Sequence, residues 1–126
     1  MKKLLCLSIF TSILSLVGCK TEEEKYFKEH KVIFYQTKEF DEFELKSKIK
    51  IKEAFDIQTK FANDNKTRPE ICLYFIIDGF YVFSSFTNLK TPVASTRGIW
   101  VDSKTGKSKY VKEEMLLKAT NFYERQ

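Results

Sequence analysis

Apolar and polar positions change period several times along these 126 residues. A short apolar segment, Leu4 to Val17, follows Lys2 and Lys3 and is broken only by Ser8, Thr11, Ser12 and Ser15. Residues 20–31 are rich in charge and read as a spacer, with a helix as one option. Val32-Ile33-Phe34-Tyr35 is a short apolar run that suits a first strand. From Phe43 to Lys52 the chain alternates: Phe43, Leu45, Ser47, Ile49 and Ile51 share one parity, and Glu44, Lys46, Lys48, Lys50 and Lys52 the other. Period two predicts a half-buried strand, with one longer helix from about Lys38 as the alternative. Ile51, Ala54, Phe55, Gln58, Phe61 and Ala62 then recur at helical spacing. A helix should therefore begin near Ile51 and end around Asn63-Asp64-Asn65, before Pro69.

The second half predicts a meander. Ile71 to Ile77 is a continuous apolar strand, Asp78-Gly79 is a preferred type I′ turn pair, and Phe80 to Phe86 returns. In the simplest register Ile71, Leu73, Phe75, Ile77, Phe80, Val82 and Phe86 share one face. Cys72, Tyr74, Ile76, Tyr81, Phe83 and Ser85 share the other. Both faces are largely apolar, so the hairpin should lie centrally and be covered on both sides. Residues 87–97 carry loop signals, Asn88 and Thr91-Pro92 among them. Gly98 to Asp102 reads as a strand, turned by Lys104-Thr105-Gly106-Lys107 towards Tyr110-Val111. Met115, Leu116, Ala119, Phe122 and Tyr123 fall at three- and four-residue steps, which predicts an amphipathic C-terminal helix. The expected class is α+β, an antiparallel β-meander packed against a helix with a second helix at the C-terminus.

The N-terminal segment carries the most specific motif. A basic start, an apolar centre and small residues at the end are the parts of a secretory signal, and the apolar run is short for a bilayer span of roughly 20 residues. Its close, Leu16-Val17-Gly18-Cys19, resembles the lipobox of bacterial lipoproteins. The resemblance implies a signal peptide over 1–18, a lipidated tether over 19–31 and one domain over 32–126. It implies a diacylglyceryl group on the Cys19 sulfur and cleavage before Cys19, whose amine would then be N-acylated, for example by palmitate. Two or three acyl chains suffice for stable anchoring, since each buried methylene contributes about 0.8 kcal/mol. Lys20 and Glu22-Glu23-Glu24 resemble the surface-export signal of Bacteroidetes lipoproteins, with Thr21 as an insertion. That implies an outer-membrane address, facing the periplasm or the outer surface.

Composition narrows the rest. Lys and Arg number 22 against 17 Asp and Glu, and loss of Lys2 and Lys3 with a signal would lower the formal charge from +5 to +3. That is no nucleic-acid footprint. Of three cysteines, Cys6 would leave with the signal and Cys19 would be acylated, so Cys72 stands alone, inside an apolar strand where a thiol acts as a small hydrophobe. His30, the sole histidine, lies in the tether, and the four glycines form no phosphate loop. No catalytic cluster, metal set or cofactor motif is present, and the chain reads as a non-enzyme.

Asp102-Ser103-Lys104-Thr105-Gly106-Lys107 resembles the strand–turn–strand ending of PepSY-type modules. The order of elements from Ile51 to Val111 is also similar to NTF2-fold immunity proteins. Both resemblances imply a cystatin-like architecture and carry over no functional residue. Two binding features remain. The Lys46, Lys48, Lys50, Lys52 ladder suits an anionic surface, but lysines that keep an edge strand soluble are the favoured reading. Tyr74, Tyr81 and Phe83, with Trp100 nearby, form a candidate binding face, against the favoured alternative that the N-terminal strands or the C-terminal helix cover it. The expected function is a lipid-anchored envelope domain that binds a protein partner, with immunity or inhibition as one form. The alternative is a small-ligand or accessory domain with a cavity between helix and sheet. The sequence leaves the oligomeric state open. A Cys19→Ala variant expressed in a bacterial host should shift from the membrane to the soluble fraction; retention on the membrane overturns the lipidation expectation.

Overall fold

The structure, a computed structural model, describes residues 21–85, 93–119 and 121–124. The chain divides into two compact units, Met1–His30 and Lys31–Gln126. In the first, α1 spans Thr21–Glu29. Glu22, Glu23 and Glu24 in its first turn and Lys28 in its last complement the helix dipole. Lys25 and Glu29 form an exposed i,i+4 pair at 4.0 Å, and the Tyr26 and His30 rings lie 4.3 Å apart. Cys19 and the 1–18 segment lie outside the described residues. No helix among the described residues is long and apolar enough to cross a membrane.

The second unit is α+β. Its elements are β1 (Val32–Phe34), α2 (Lys38–Lys46), α3 (Ile51–Asp64), β2 (Cys72–Ile77), β3 (Phe80–Ser84), β4 (Val93–Ser95), β5 (Gly98–Asp102), β6 (Ser108–Val111), β7 (Leu116–Lys118) and β8 (Tyr123–Glu124). The main sheet runs β1-β2-β3-β5-β6, all antiparallel, with β8 also paired to β2; β4 and β7 form a separate two-stranded sheet. The predicted hairpin is present, with Asp78 at φ 51° and Gly79 at φ 82°, both positive as a type I′ turn requires. β2 and β3 are central, and all of β2 is buried.

A bulge reshapes the register of that hairpin. Leu73 pairs with Phe83 but Phe75 pairs with Val82, so Tyr74 is the extra residue. Downstream of it Ile76 faces Tyr81 and Ile77 faces Phe80. Leu73 therefore joins Ile76, Tyr81, Phe83, Ile99 and Val101 on the face that packs against α3. Phe75, Ile77, Val82 and Trp100 take the opposite face. The uninterrupted alternation expected from sequence placed Leu73 with Phe75, which the extra residue prevents. Phe86 lies outside the described residues.

The alternating segment 43–52 is not a strand. Thr37 caps α2, its Oγ1 accepting from the Phe40 amide at 3.1 Å. The helix then stops at Ser47, and α3 starts four residues later. The corner is closed by reciprocal capping. Lys50 Nζ donates to the carbonyls of Glu44, Leu45 and Ser47 at 2.7–2.9 Å, satisfying the end of α2. The Glu44 carboxylate accepts from the Ile51 amide at 2.8 Å, at the start of α3. The four lysines thus form no ladder: Lys46 ends α2, Lys48 lies exposed in the corner, Lys50 is a cap and Lys52 lies in α3. Leu45, placed with the apolar parity, is 79% exposed.

The expected C-terminal helix is replaced by two short strands. β7 pairs with β4, burying Leu117 while leaving Leu116 exposed, and β8 pairs Tyr123 with Leu73 and Glu124 with Cys72. The reason is open backbone elsewhere. β1 covers only the Phe75–Ile77 end of β2, and β8 supplies partners to the Cys72–Leu73 end of the same edge. Val93–Ser95, expected within a loop, is β4 for the same reason. α3 forms where its apolar spacing puts it, burying Ala54, Phe55, Gln58 and Ala62. Gln58 also clasps the chain entering β2. Its Nε2 donates to the Glu70 carbonyl at 3.0 Å, and its Oε1 accepts from the Glu70 amide at 3.1 Å.

Gly98 opens β5 so close to β3 that a Cβ there would overlap the Phe83 carbonyl oxygen. Gly98→Ala should cost about 3 kcal/mol of stability, because backbone must move. Tyr81→Phe, which keeps the ring but loses a hydrogen bond to the α2–α3 corner, should cost about 1 kcal/mol. Chemical denaturation checks both, and a smaller loss for Gly98→Ala than for Tyr81→Phe would contradict this packing.

Candidate functional site

The candidate binding face does not form: its four aromatics are covered, as the favoured alternative had it, and do not share one side of the sheet. Tyr81 and Phe83 are fully buried under the helices, with Phe83 edge-on to Phe55 at 5.3 Å. Trp100 is on the opposite face, 5.9 Å from Phe80, and its indole N–H donates to the Thr96 carbonyl at 2.8 Å. Lys109 Nζ lies 4.4 Å from the Phe80 ring and 5.3 Å from that of Trp100. Tyr74 occupies the bulge, with its ring 5.4 Å from Phe122. All four are buried, and the described cavities reach none of them.

The open concavity lies instead at the edge of β2 where β1 leaves and β8 begins. The Tyr35 amide donates to the Tyr74 carbonyl at 2.8 Å, prolonging β1 by one residue. Gln36 then takes a left-handed conformation, φ 64°, which turns the chain into α2. On the same edge β8 brings Tyr123 up to Tyr35, with the rings 5.9 Å apart and edge-on. α3 runs alongside and contributes Lys52, Phe55 and Asp56. The result is a cleft of about 930 Å³, bordered by Gln36 at one end and by Phe122 and Glu124 at the other. A smaller hollow of about 340 Å³ adjoins it, sharing Phe55 and Glu124 and adding Thr59, Pro69, Glu70 and Ile71.

Among the described residues, Asp56, Glu124 and Lys52 are the charged groups that line the cleft, and Glu70 lines the adjoining hollow. The Tyr35 hydroxyl is held above its ordinary pKa, first by burial, then by Tyr123 and by the carboxylates of Glu44 and Asp41. Cys72, beneath β8, is chemically quiet. Burial, then the charge of Glu124, pushes its thiol up to about 11, although Tyr74 offers a hydrogen bond that works the other way. This is the opposite of the cationic, exposed setting that activates a cysteine. Among the described residues no group of three or more His, Cys, Asp or Glu could hold a metal ion.

Of the cleft residues, only Lys52 was singled out by sequence as a binding feature, and then as part of the lysine ladder. Lys52, Asp56 and Thr59 fall on the flank of the apolar stripe of α3, a weak signal. Tyr35 and Tyr123 meet only through β-pairing between distant segments, and the helical spacing of residues 115–123 pointed away from it. No family model, curated protein or solved structure matches the chain.

Burial of acidic groups makes a directional statement about pH. Cys72 and Tyr81 have folded pKa values raised to about 11 and about 12. For Tyr81 the cause is burial, partly offset by the hydrogen bond from Ser47. The folded state binds these protons more tightly than the unfolded chain does. Their contribution is therefore complete below about pH 9 and lost as pH rises through 11 to 12. Denaturation midpoints should fall over that window, and a thiol reagent at pH 8 should label Cys72 only after unfolding. Rapid labelling of the native protein would contradict the burial described.

Proposed function

We propose that this chain is a lipid-anchored interaction domain of the bacterial cell envelope, held in the outer membrane through Cys19. It binds a protein partner and carries no catalysis. Immunity to a toxin, or inhibition of an enzyme, is one specific form of this role. The observation that carries the reading is how the fold uses its reactive and aromatic side chains. Tyr74, Tyr81, Phe83 and Trp100 are committed to internal packing and Cys72 is buried as a thiol. What remains for recognition is surface, and the one large concavity described has mixed aromatic and charged walls, as contact sites do. The lipobox resemblance supports the address, and the charged α1 suits a spacer between lipid and domain.

Photo-crosslinking of the full lipidated chain in a host that encodes it should yield one or a few envelope proteins. These should bind the purified chain saturably. A toxin gene beside this one would point to the immunity form. The second reading, a small-ligand or accessory domain, is favoured by the cleft volume of about 930 Å³, which falls in the range of small-molecule sites. A small molecule that co-purifies with the chain in native mass spectrometry, with no saturable protein partner, would establish that reading and overturn the first.

A further inference from the structure

We infer that the free edge of β6 receives an extended, acidic segment of a protein partner, which joins the main sheet as a further strand. The inference rests on the interaction-domain reading above. β6 ends the order of the main sheet, with β5 as its neighbour there. The Asp102 amide donates to the Lys107 carbonyl at 2.9 Å, and bonded pairs in an antiparallel ladder recur every second residue. Trp100 with Lys109, and Gly98 with Val111, are therefore the bonded pairs of this register. Lys109 and Val111 direct their backbone groups to β5, while those of Ser108 and Tyr110 point away from it. Among the described residues none pairs with these outward amides and carbonyls. Such a row is a template for an added strand. A bilayer surface does not complete it.

Charge selects the segment. From Ser103 to Lys112 the chain carries Lys104, Lys107, Lys109 and Lys112 and no carboxylate. The acids next in sequence are Asp102 on one side and Glu113 and Glu114 on the other. The Asp102 carboxylate accepts from the Lys104 and Thr105 amides at 2.8 and 3.3 Å, and Glu114 accepts from Ser95 Oγ at 2.7 Å. Facing the strand from α3, Asp64 is paired with Lys60 at 3.3 Å. Lys66 and Arg68 flank Thr67, whose hydroxyl bonds that of Tyr110. The edge therefore favours an acidic segment. The same lysines bar a second copy, whose edge carries them too. Two exposed side chains are already fixed in place. Tyr110, 40% exposed, lies 4.8 Å from the Phe61 ring on the α3 face. Lys109 Nζ sits over Phe80 and Trp100 on the other face. Fixed side chains lower the ordering cost of binding, and their alternation calls for an acid beside Lys109 and an apolar residue beside Tyr110.

The test uses the full-length chain in zwitterionic detergent micelles and a fluorescent peptide of about nine residues alternating Glu and Val. It should bind saturably, and a counterpart with Lys for Glu at least about tenfold more weakly. Two further Glu–Val peptides carry N-methyl groups, one on every Val and the other on every Glu. Alternate amides of a strand face one edge, so one of the two should lose at least about tenfold in affinity and the other should not. These peptides probe the edge with the protein unaltered. K107E/K109E should weaken the Glu–Val peptide at least about tenfold and strengthen the Lys–Val one. K38E/K52E makes the same change of charge away from β6 and should leave binding unchanged. The assignment is overturned if the Glu–Val peptide fails to bind, if neither methylated peptide is weakened, or if K38E/K52E acts as strongly as K107E/K109E. A cellular crosslink insensitive to K107E/K109E would leave the interaction-domain reading standing and reject this edge. Edge-specific peptide binding without any envelope partner would do the reverse.

Discussion

The peptide of Ile49 pins the helical layer to the sheet. Its N–H donates to the Ser103 carbonyl at 2.9 Å, and its carbonyl accepts from the Tyr81 hydroxyl at 2.6 Å. Ser103 is in turn fixed by its own N–H, which donates to the Gly79 carbonyl at 3.1 Å. One loop residue thus joins the α2–α3 corner, the β2–β3 turn and the end of β5. The polar groups of Tyr81 and of the corner are buried together, and leaving either unpaired would carry a desolvation penalty. That requirement fixes where α3 begins, and with it the wall of the cleft.

The bulge at Tyr74 is the second constraint. Without it, β2 would present a single parity to α3, and Leu73 would turn with Phe75 to the opposite face. With it, Leu73, Ile76, Tyr81 and Phe83 form one apolar surface beneath Phe55. The remaining edge of β2 is divided between β1 and β8, two elements too short to cover it separately. Their junction is where the cleft opens. The concavity is thus a by-product of how one strand edge is satisfied by two distant segments.

This arrangement explains why aromatic content did not translate into an aromatic binding face. The largest rings are spent on the two faces of the central hairpin, while the rings that border open space, Tyr35 and Tyr123, come from the ends of short edge strands. Cys72, the one cysteine among the described residues, stays outside the cleft lining.

The sequence by itself determined the elements whose signals are local. The Asp78-Gly79 turn needs positive φ at both positions, α3 has a clean helical stripe, and Gly98 to Asp102 is an uninterrupted strand flanked by turns; each formed where local chemistry put it. The lipobox resemblance of Leu16 to Cys19 is likewise local and rests on the sequence alone. Tertiary structure decided whatever depended on a distant partner. Residues 43–52 alternate like a strand, but Lys50 and Glu44 satisfy helix ends across the corner instead. Residues 115–123 are spaced like a helix, but unpaired backbone at β4 and at the start of β2 draws them into strands. A bulge leaves no mark on an apolar run, so the face assignment of Leu73 and Tyr74 was illegible. The cleft was illegible for the same reason: its walls come from the end of β1, from α3 and from β8, distant segments whose meeting side-chain periodicity does not encode.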